Sequence, residues 1–290
     1  LIIANKMTEE IVYKEKQAVQ LGKGGISRGY IASDAMDRAV NSLLSYKTIL
    51  EEYQVEEVLV AGTSAIRNAQ NQQDFIQTIL NKTGFEITVI SGDEEALLIY
   101  QGVSHFLSIG EHPEMIIDIG GGSVEFIIAN QYEILWIISL EIGGQRLMDK
   151  FHKSDPIDPS DIHRIHAFLR DELSEVIDVC RKYDVKTLIG SAGSFDTLQD
   201  IFHLSSDNIE GLDPILPINF FYSICQEFID KTREERLDIP GMIPMRVDMI
   251  VVASLLIKLL VEELQIAQIK VSAYALKEGL LFGKNYKISV

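Results

Sequence analysis

Apolar residues alternate along this chain in two rhythms. Short apolar runs bounded by polar turns predict strands; longer stretches with apolar positions three and four apart predict helices. Strands are predicted at 1–4, 11–21, 57–61, 86–90, 115–119, 124–129, 133–141, 187–189 and 268–271. Ser33 is placed as the N-cap of a helix reaching about Tyr53, with Leu43, Leu44, Ile49 and Leu50 among its apolar positions. Further helices are predicted near 72–82, 93–107, 144–152, 159–183, 194–203, 218–231, 247–264 and 276–283. Strands followed by helices of this length predict an α/β architecture. The most apolar run, MIVVASLLIKLL at 249–260, is too short to cross a bilayer and carries Lys258, so it reads as a buried helix.

The pattern also repeats. LIIAN at 1–5 is nearly FIIAN at 126–130, and each opens a strand, a polar turn, a second strand and a Gly-rich exit into a helix. A shared order of elements beyond that makes a duplication the reading of the whole chain. The second copy is preceded by DIGGGSVE. A counterpart in the first copy would lie ahead of residue 1, which implies a missing segment of roughly a dozen residues.

Composition bounds the function. The chain has 290 residues, 47% hydrophobic, with two cysteines, and is long enough for two domains. Cys180 and Cys225 lie in apolar, helix-like contexts and read as buried thiols of a reducing compartment, so the cytoplasm is the expected location. The first residues lack the features of a secretion signal. A net charge of −17 opposes double-stranded DNA or an anionic membrane as partner. It leaves room for a phosphate-bearing substrate, which needs only a local positive site.

MIIDIGGGSVEFIIAN (115–130) is the most informative stretch. It reads as a tight hairpin in which Gly120, Gly121 and Gly122 let backbone N–H groups converge on an anion, with Ser123 as a hydroxyl donor. Asp118 ends the first strand, where a carboxylate can hold Mg²⁺, and Glu125 follows on the second. A plain glycine turn with incidental acids is the competing reading. In SGDEEALLIYQGV (91–103) the acids fall in the first turn of a helix, which the helix dipole alone would favour, or one glutamate serves as a general base. GTSAIRNAQN (62–71) offers Thr63, Ser64 and Arg67 to phosphate, or else a simple turn cap. Arg146 in EIGGQRL, and Ser191 and Gly193 in IGSAGSFDTL, stand at comparable strand-to-helix turns. His163 and His166 in DIHRIH are spaced for a metal but read as a solvated helix face, since no further ligands accompany them.

Taken in order, LGKGG, GTSAIRNAQN, ISGDEEALLIYQGV, DIGGGSVEFII, EIGGQRL, GSAGSFDTL and SAYALKEGLL resemble the exopolyphosphatase / guanosine pentaphosphate phosphohydrolase (Ppx/GppA) family. DIGGGSVE alone is shared with the wider actin, Hsp70 and sugar-kinase superfamily. The resemblance implies a duplicated ribonuclease H-like, actin-like two-domain fold with its active site in the interdomain cleft. Domain limits of 1–114 and 115–290 follow, the last helix packing back on the first domain. It also implies that the segment ahead of residue 1 carries a first phosphate loop.

Matched position by position, the resemblance makes Glu95 the catalytic base, ahead of its neighbour Glu94. Asp118 and Glu125 become the acids associated with Mg²⁺. Gly120, Gly121, Gly122 and Ser123 become the phosphate loop, and Arg67 a phosphate-contacting arginine. Thr63, Arg146, Ser191 and Gly193 complete the candidate phosphate-binding set. Ala192 and Ala275 depart from positions where the family often has Gly. The implied activity is Mg²⁺-dependent removal of the terminal phosphate of inorganic polyphosphate, with short chains favoured. Cleavage of pppGpp is the alternative; an ATP-dependent small-molecule kinase and a non-catalytic phosphate or alarmone sensor rank below it. A homodimer is plausible on the same ground.

Overall fold

The structure, a computed structural model, describes residues 1–205 and 214–283. The first half runs β1 (Ile2–Ala4), β2 (Ile11–Lys14), a 3-10 turn (Ile26–Arg28), α1 (Ser33–Glu52), β3 (Ala61–Gly62), α2 (Ser64–Arg67), α3 (Gln72–Thr83), β4 (Thr88–Val89) and α4 (Gly92–Phe106). The second runs β5 (Glu114–Ile119), β6 (Val124–Ala129), β7 (Ile134–Leu140), α5 (Gly144–Phe151), α6 (Pro159–Glu172), α7 (Ser174–Lys182), β8 (Thr187–Ser191), α8 (Ala192–Ser205), β9 (Ile215–Leu216), α9 (Ile218–Asp230), α10 (Arg233–Leu237), α11 (Met249–Leu264), β10 (Gln268–Val271) and α12 (Leu276–Phe282).

A six-stranded mixed sheet, ordered β7-β6-β5-β8-β10-β9, organises the second half. β5, β8 and β10 are parallel neighbours, and the flanking pairs are antiparallel. Every residue of β5 and β6 is buried, because helices cover both faces. Strand alternation sorts the side chains. Met115, Ile117, Ile119 and Phe126 enter a core shared with α5–α9 and α11. Ile116, Ile127 and Ile189 face the other way, onto Ala96, Ile99 and Val103 of α4. The run at 249–260 is the buried helix expected of it; among the described residues no helix is long and apolar enough to cross a membrane.

The repeat is visible as geometry. β1 pairs with β2 as β6 pairs with β7, antiparallel, and both ladders slip register at the same point of the shared motif, Ile3/Ala4 and Ile128/Ala129. The Asn that follows closes the turn in each copy. Asn5 Oδ1 accepts from the amides of Met7 (2.9 Å) and Thr8 (3.2 Å), and Asn130 Oδ1 from those of Tyr132 (2.9 Å) and Glu133 (3.0 Å). Both are Asx turns, the local bonding for which Asn is favoured at such positions.

Several predicted limits need correction. Of 11–21 only Ile11–Lys14 forms a ladder. Of 57–61 and 86–90 only Ala61–Gly62 and Thr88–Val89 pair, in parallel, and Val58 and Leu59 are exposed without a strand neighbour. Ser33 is the first helical residue rather than the N-cap, and no side chain caps α1. The helix predicted at 159–183 breaks at Leu173 into α6 and α7. β9 and α10 are too short for periodicity to reveal.

α12 crosses α4 with almost no space between backbones. A Cβ on Gly102 would collide with the carbonyl of Ala275, and one on Gly279 with that of Leu98. Backbone cannot retreat as a side chain can. Gly102→Ala is therefore expected to lower stability by about 1–3 kcal/mol, read as the urea midpoint at constant slope; an unchanged midpoint would show that the helices separate freely.

Candidate active site

The α4 face of the sheet changes character at one end. Continuing the alternation of Ile116, Ile127, Ile137 and Ile189 along their strands brings up Asp118, Glu125, Ser139 and Ser191. Asp118 and Glu125 are directly opposite in the β5–β6 ladder. Two carboxylates in that relation repel, so the pairing is unfavourable for stability by itself. Glu95 stands over them from the first turn of α4.

The start of α4 places its two candidate bases differently. Ser91 and Glu94 form a capping box: Ser91 Oγ accepts from the Glu94 amide (3.1 Å), and Glu94 Oε2 from the Ser91 amide (2.7 Å). Glu94 is thereby committed to the helix end. Glu95, one position on, points inward and is 7% exposed. Arg67 Nη1, at the end of α2, donates to Glu95 Oε2 (2.9 Å) and to the Ile90 carbonyl (3.0 Å).

Burial dominates the acid–base chemistry here. It pushes the Glu95 carboxyl up to about 7 against the opposing pull of Arg67, with the Asp118 and Glu141 charges adding to the rise. Burial likewise takes Asp118 up to about 6, although Ser191 Oγ donates to its Oδ2 (3.0 Å). Glu125 is raised by burial and then by the Glu95 and Asp118 charges, while Ser139 Oγ donates to its Oε1 (2.7 Å).

A cavity of about 370 Å³ opens beside these groups. Glu95, Asp118 and Gly193 line it, together with Lys16, Arg246 and Lys277. The other candidate residues lie off its wall. Ser123 and Glu125 are buried behind it, and Ser191 supports Asp118 from beneath. The glycine hairpin is gripped by α5: the amides of Gly143, Gly144 and Gln145 donate to the carbonyls of Gly122 (3.2 Å), Gly120 (2.9 Å) and Gly121 (2.9 Å). Any side chain on Gly122 would strike Ser64, so the loop also packs against α2, which follows Thr63. Arg146 is anchored beside it, Nε on the Gly122 carbonyl (2.8 Å) and Nη1 on that of Ile26 (3.2 Å).

Glu141, between β7 and α5, gathers the remaining donors. Its carboxylate accepts from Ser64 Oγ (2.6 Å), Arg146 Nη2 (2.8 Å) and Arg67 Nη2 (3.3 Å). Arg246, Lys277 and Glu141 were all missed by the sequence reading. Arg246 sits in an irregular segment before α11 with no motif around it; its guanidinium lies against Gly193, where a Cβ would collide with it. Partial burial lowers the pKa of both Arg246 and Lys277. Lys277 and Glu141 lay inside motifs that were recognised but not assigned.

Ala192, where a Gly was noted as usual, keeps a glycine-like φ of 65° at the cavity wall. Such a conformation costs an L-residue roughly 1–2 kcal/mol, strain of the kind found at functional sites. His163 and His166 ride on α6, and among the described residues no group of three His, Cys, Asp or Glu is gathered into a ready-made metal cage. Cys180 and Cys225 are free and buried.

Residues 2–287 match the profile of the Ppx/GppA phosphatase family. Among curated proteins, the chain is 26% identical over 269 residues to the guanosine-5'-triphosphate,3'-diphosphate pyrophosphatase of Photobacterium profundum, covering 93% of this chain and 53% of that protein. The protein of the same description from Aliivibrio fischeri is 27% identical over 270 residues, with the same coverage. The chain thus spans about half the length of the curated relatives it matches. Among solved structures, an exopolyphosphatase from Cytophaga hutchinsonii superimposes with a TM-score of 0.93 at 38% identity, covering 100% of this chain and 95% of that one. The Aquifex aeolicus Ppx/GppA family member gives 0.77 at 25% identity, covering 99% and 94%. The mixed α/β architecture with its central sheet is the fold of these neighbours.

The raised carboxyls make a stability prediction with a definite sign. A native state that holds protons the unfolded chain has released loses stability as pH rises through that window. For Asp118 the window runs from its ordinary 3.8 to about 6; Glu95 extends it to about 7. In metal-free buffer the urea midpoint should fall across this range. Asp118→Asn should flatten the lower part and be more stable than the wild type in alkali by about 1–3 kcal/mol. A wild type that gains stability across the window would reverse the assignment.

Proposed function

The chain belongs to the Ppx/GppA phosphatase family, and from that premise we propose that it hydrolyses the terminal phosphoanhydride bond of inorganic polyphosphate. The observation that carries the reading is Glu95: a buried glutamate, raised to about 7, on the wall of a cavity that also presents Asp118 and the partly buried cations Arg246 and Lys277. Phosphoryl transfer to water needs positioning and charge neutralisation more than covalent participation. Glu95 Oε accepts the proton of a water as its oxygen bonds to the terminal phosphorus. The bridging P–O bond breaks, and the electron pair leaves with the shortened chain. Arg67 orients Glu95 through Nη1, and with Arg146 it binds phosphate oxygens.

Mg²⁺ fits the donor chemistry. Asp118 and Glu125 repel each other across one ladder and Glu95 adds to the field, so a cation held by one or two of these carboxylates and by substrate oxygens meets an unmet need for positive charge. Asp118, on the cavity wall, would hold it, with Glu125 behind, and bound there it would supply charge neutralisation at the phosphate. The glycine hairpin and Ser123 would position Asp118 and Arg146, with Thr63, Ser191 and Gly193 shaping the turns around the substrate. We place the division of the chain at 114/115, with this cavity between the halves.

Polyphosphate is placed ahead of pppGpp because the exopolyphosphatase is both the more identical protein and nearly equal in length. The curated pyrophosphatases support pppGpp as the second reading. Two free buried thiols suit a cytoplasmic protein, and the acidic surface disfavours DNA and anionic membranes. Self-association as a homodimer completes the proposal.

Phosphate release from polyphosphate and from pppGpp, measured side by side with Mg²⁺ present, tests this directly; cleavage of neither ends it. Glu95→Ala should reduce turnover by about 10²–10⁴-fold while polyphosphate still binds. Because the base acts unprotonated, kcat/KM should rise as pH increases through about 7. A flat profile there would assign the proton to another group.

A further inference from the structure

We propose that Glu141 is an internal stand-in for a phosphoryl group: its carboxylate fills an oxyanion subsite built by Ser64, Arg67 and Arg146, and a phosphate of the substrate replaces it on binding. This rests on the reading of Arg67 and Arg146 as phosphate-binding groups and adds the residue that competes for them. Two guanidiniums and a hydroxyl converge on one carboxylate, from α2 on one side and α5 on the other. The planar forks that grip a carboxylate grip a phosphate equally well.

Three features distinguish a stand-in from an ordinary salt bridge. The donors lie deeper than the acceptor: the Arg67 and Arg146 side chains are 18% and 21% exposed, and that of Glu141 41%. The acceptor therefore enters from the solvent side, as a ligand would. The donors are also fixed without it. Arg67 is held by the Ile90 carbonyl and Glu95, and Arg146 by the carbonyls of Gly122 and Ile26, so the cradle persists when Glu141 leaves. Finally, Glu141 belongs to no helix or strand, and its departure breaks no ladder.

Although burial alone would raise it, Glu141 is held below the ordinary carboxylate range by hydrogen bonds from Ser64 and Asn68 and by both arginines, so it is anionic at neutral pH. A tethered group competes at high effective concentration. Orthophosphate, with few other contacts, loses that competition. A phosphate chain that also reaches the Asp118, Arg246 and Lys277 wall wins it. Glu141 thus selects chains over the released product, and because Arg67 also holds Glu95, the displaced site lies next to the base.

The test is titration calorimetry of orthophosphate and of tripolyphosphate into the full chain in chelator, where no turnover occurs. Glu141→Gln should bind orthophosphate about tenfold more tightly than the wild type, equivalent to about 1.4 kcal/mol, and tripolyphosphate more tightly as well. In the active enzyme, orthophosphate should become a stronger competitive inhibitor. Unchanged or weakened orthophosphate binding overturns the proposal and leaves Glu141 as a latch between the halves; Glu141→Asp, which keeps the charge and shortens the reach, must tighten orthophosphate binding too, since loss of charge alone would not act there. Should Glu141→Gln fail to fold, Glu141→Asp, whose shorter reach weakens the same contacts, is expected to shift binding in the same direction. Binding is read without hydrolysis, so a wild type that cleaves neither polyphosphate nor pppGpp would defeat the proposed activity while the calorimetric comparison still stood or fell by itself.

Discussion

Three carboxylates withdrawn from water, with Asp118 close enough to raise the proton affinity of Glu95 and Glu125, set the terms for everything else in this molecule. Left alone, such a cluster would either swell with solvent or stay protonated. It is held in place by the stiffest parts of the chain. Asp118 and Glu125 are fixed by the ladder of two fully buried strands, and Glu95 by a helix start whose own cap employs the adjacent glutamate. The sheet's isoleucines pack against α4 directly behind the acids. The apolar core therefore supports a charge arrangement that gives stability away.

The cations around the cluster are arranged in two groups. Arg246 and Lys277 line the same cavity as Glu95 and Asp118 and are partly buried. Arg67 and Arg146 lie to the side, already engaged by Glu95, Glu141 and backbone carbonyls. A polyanion entering the cavity meets Arg246 directly, Lys277 beside its partner Glu278, and the second group only by exchange. That order fits a substrate that binds through several phosphates and reacts at one.

What could be read from residues alone was whatever sits in a local pattern. The DIGGGS hairpin, the Ser-x-x-Glu start of α4, the alternation that buries 115–119 and 124–129, and the LIIAN/FIIAN echo all involve neighbours a few positions apart. The difference between Glu94 and Glu95 is itself local: the capping box that ties Glu94 to the helix end is a Ser-x-x-Glu pattern readable from the residues. Glu141 was unreadable for a different reason: its partner Ser64 is 77 positions away, and only the folded chain brings them together. The same holds for Arg246, whose place beside Gly193 follows from a loop with no periodicity. Strand limits in the first half were overextended because apolar alternation marks where a strand is possible, whereas a ladder also needs a neighbour.

The close crossing at Gly102 and Gly279 has a mechanical consequence. With backbone against backbone, α4 and α12 can neither slide nor tilt independently, so the glutamate on one and the lysine on the other travel as a single rigid jaw. Whatever widens the mouth of the cavity must act on the wall carried by the second half, where Gly193 and Arg246 stand, and the distance that varies during admission of a chain is the one measured from that side.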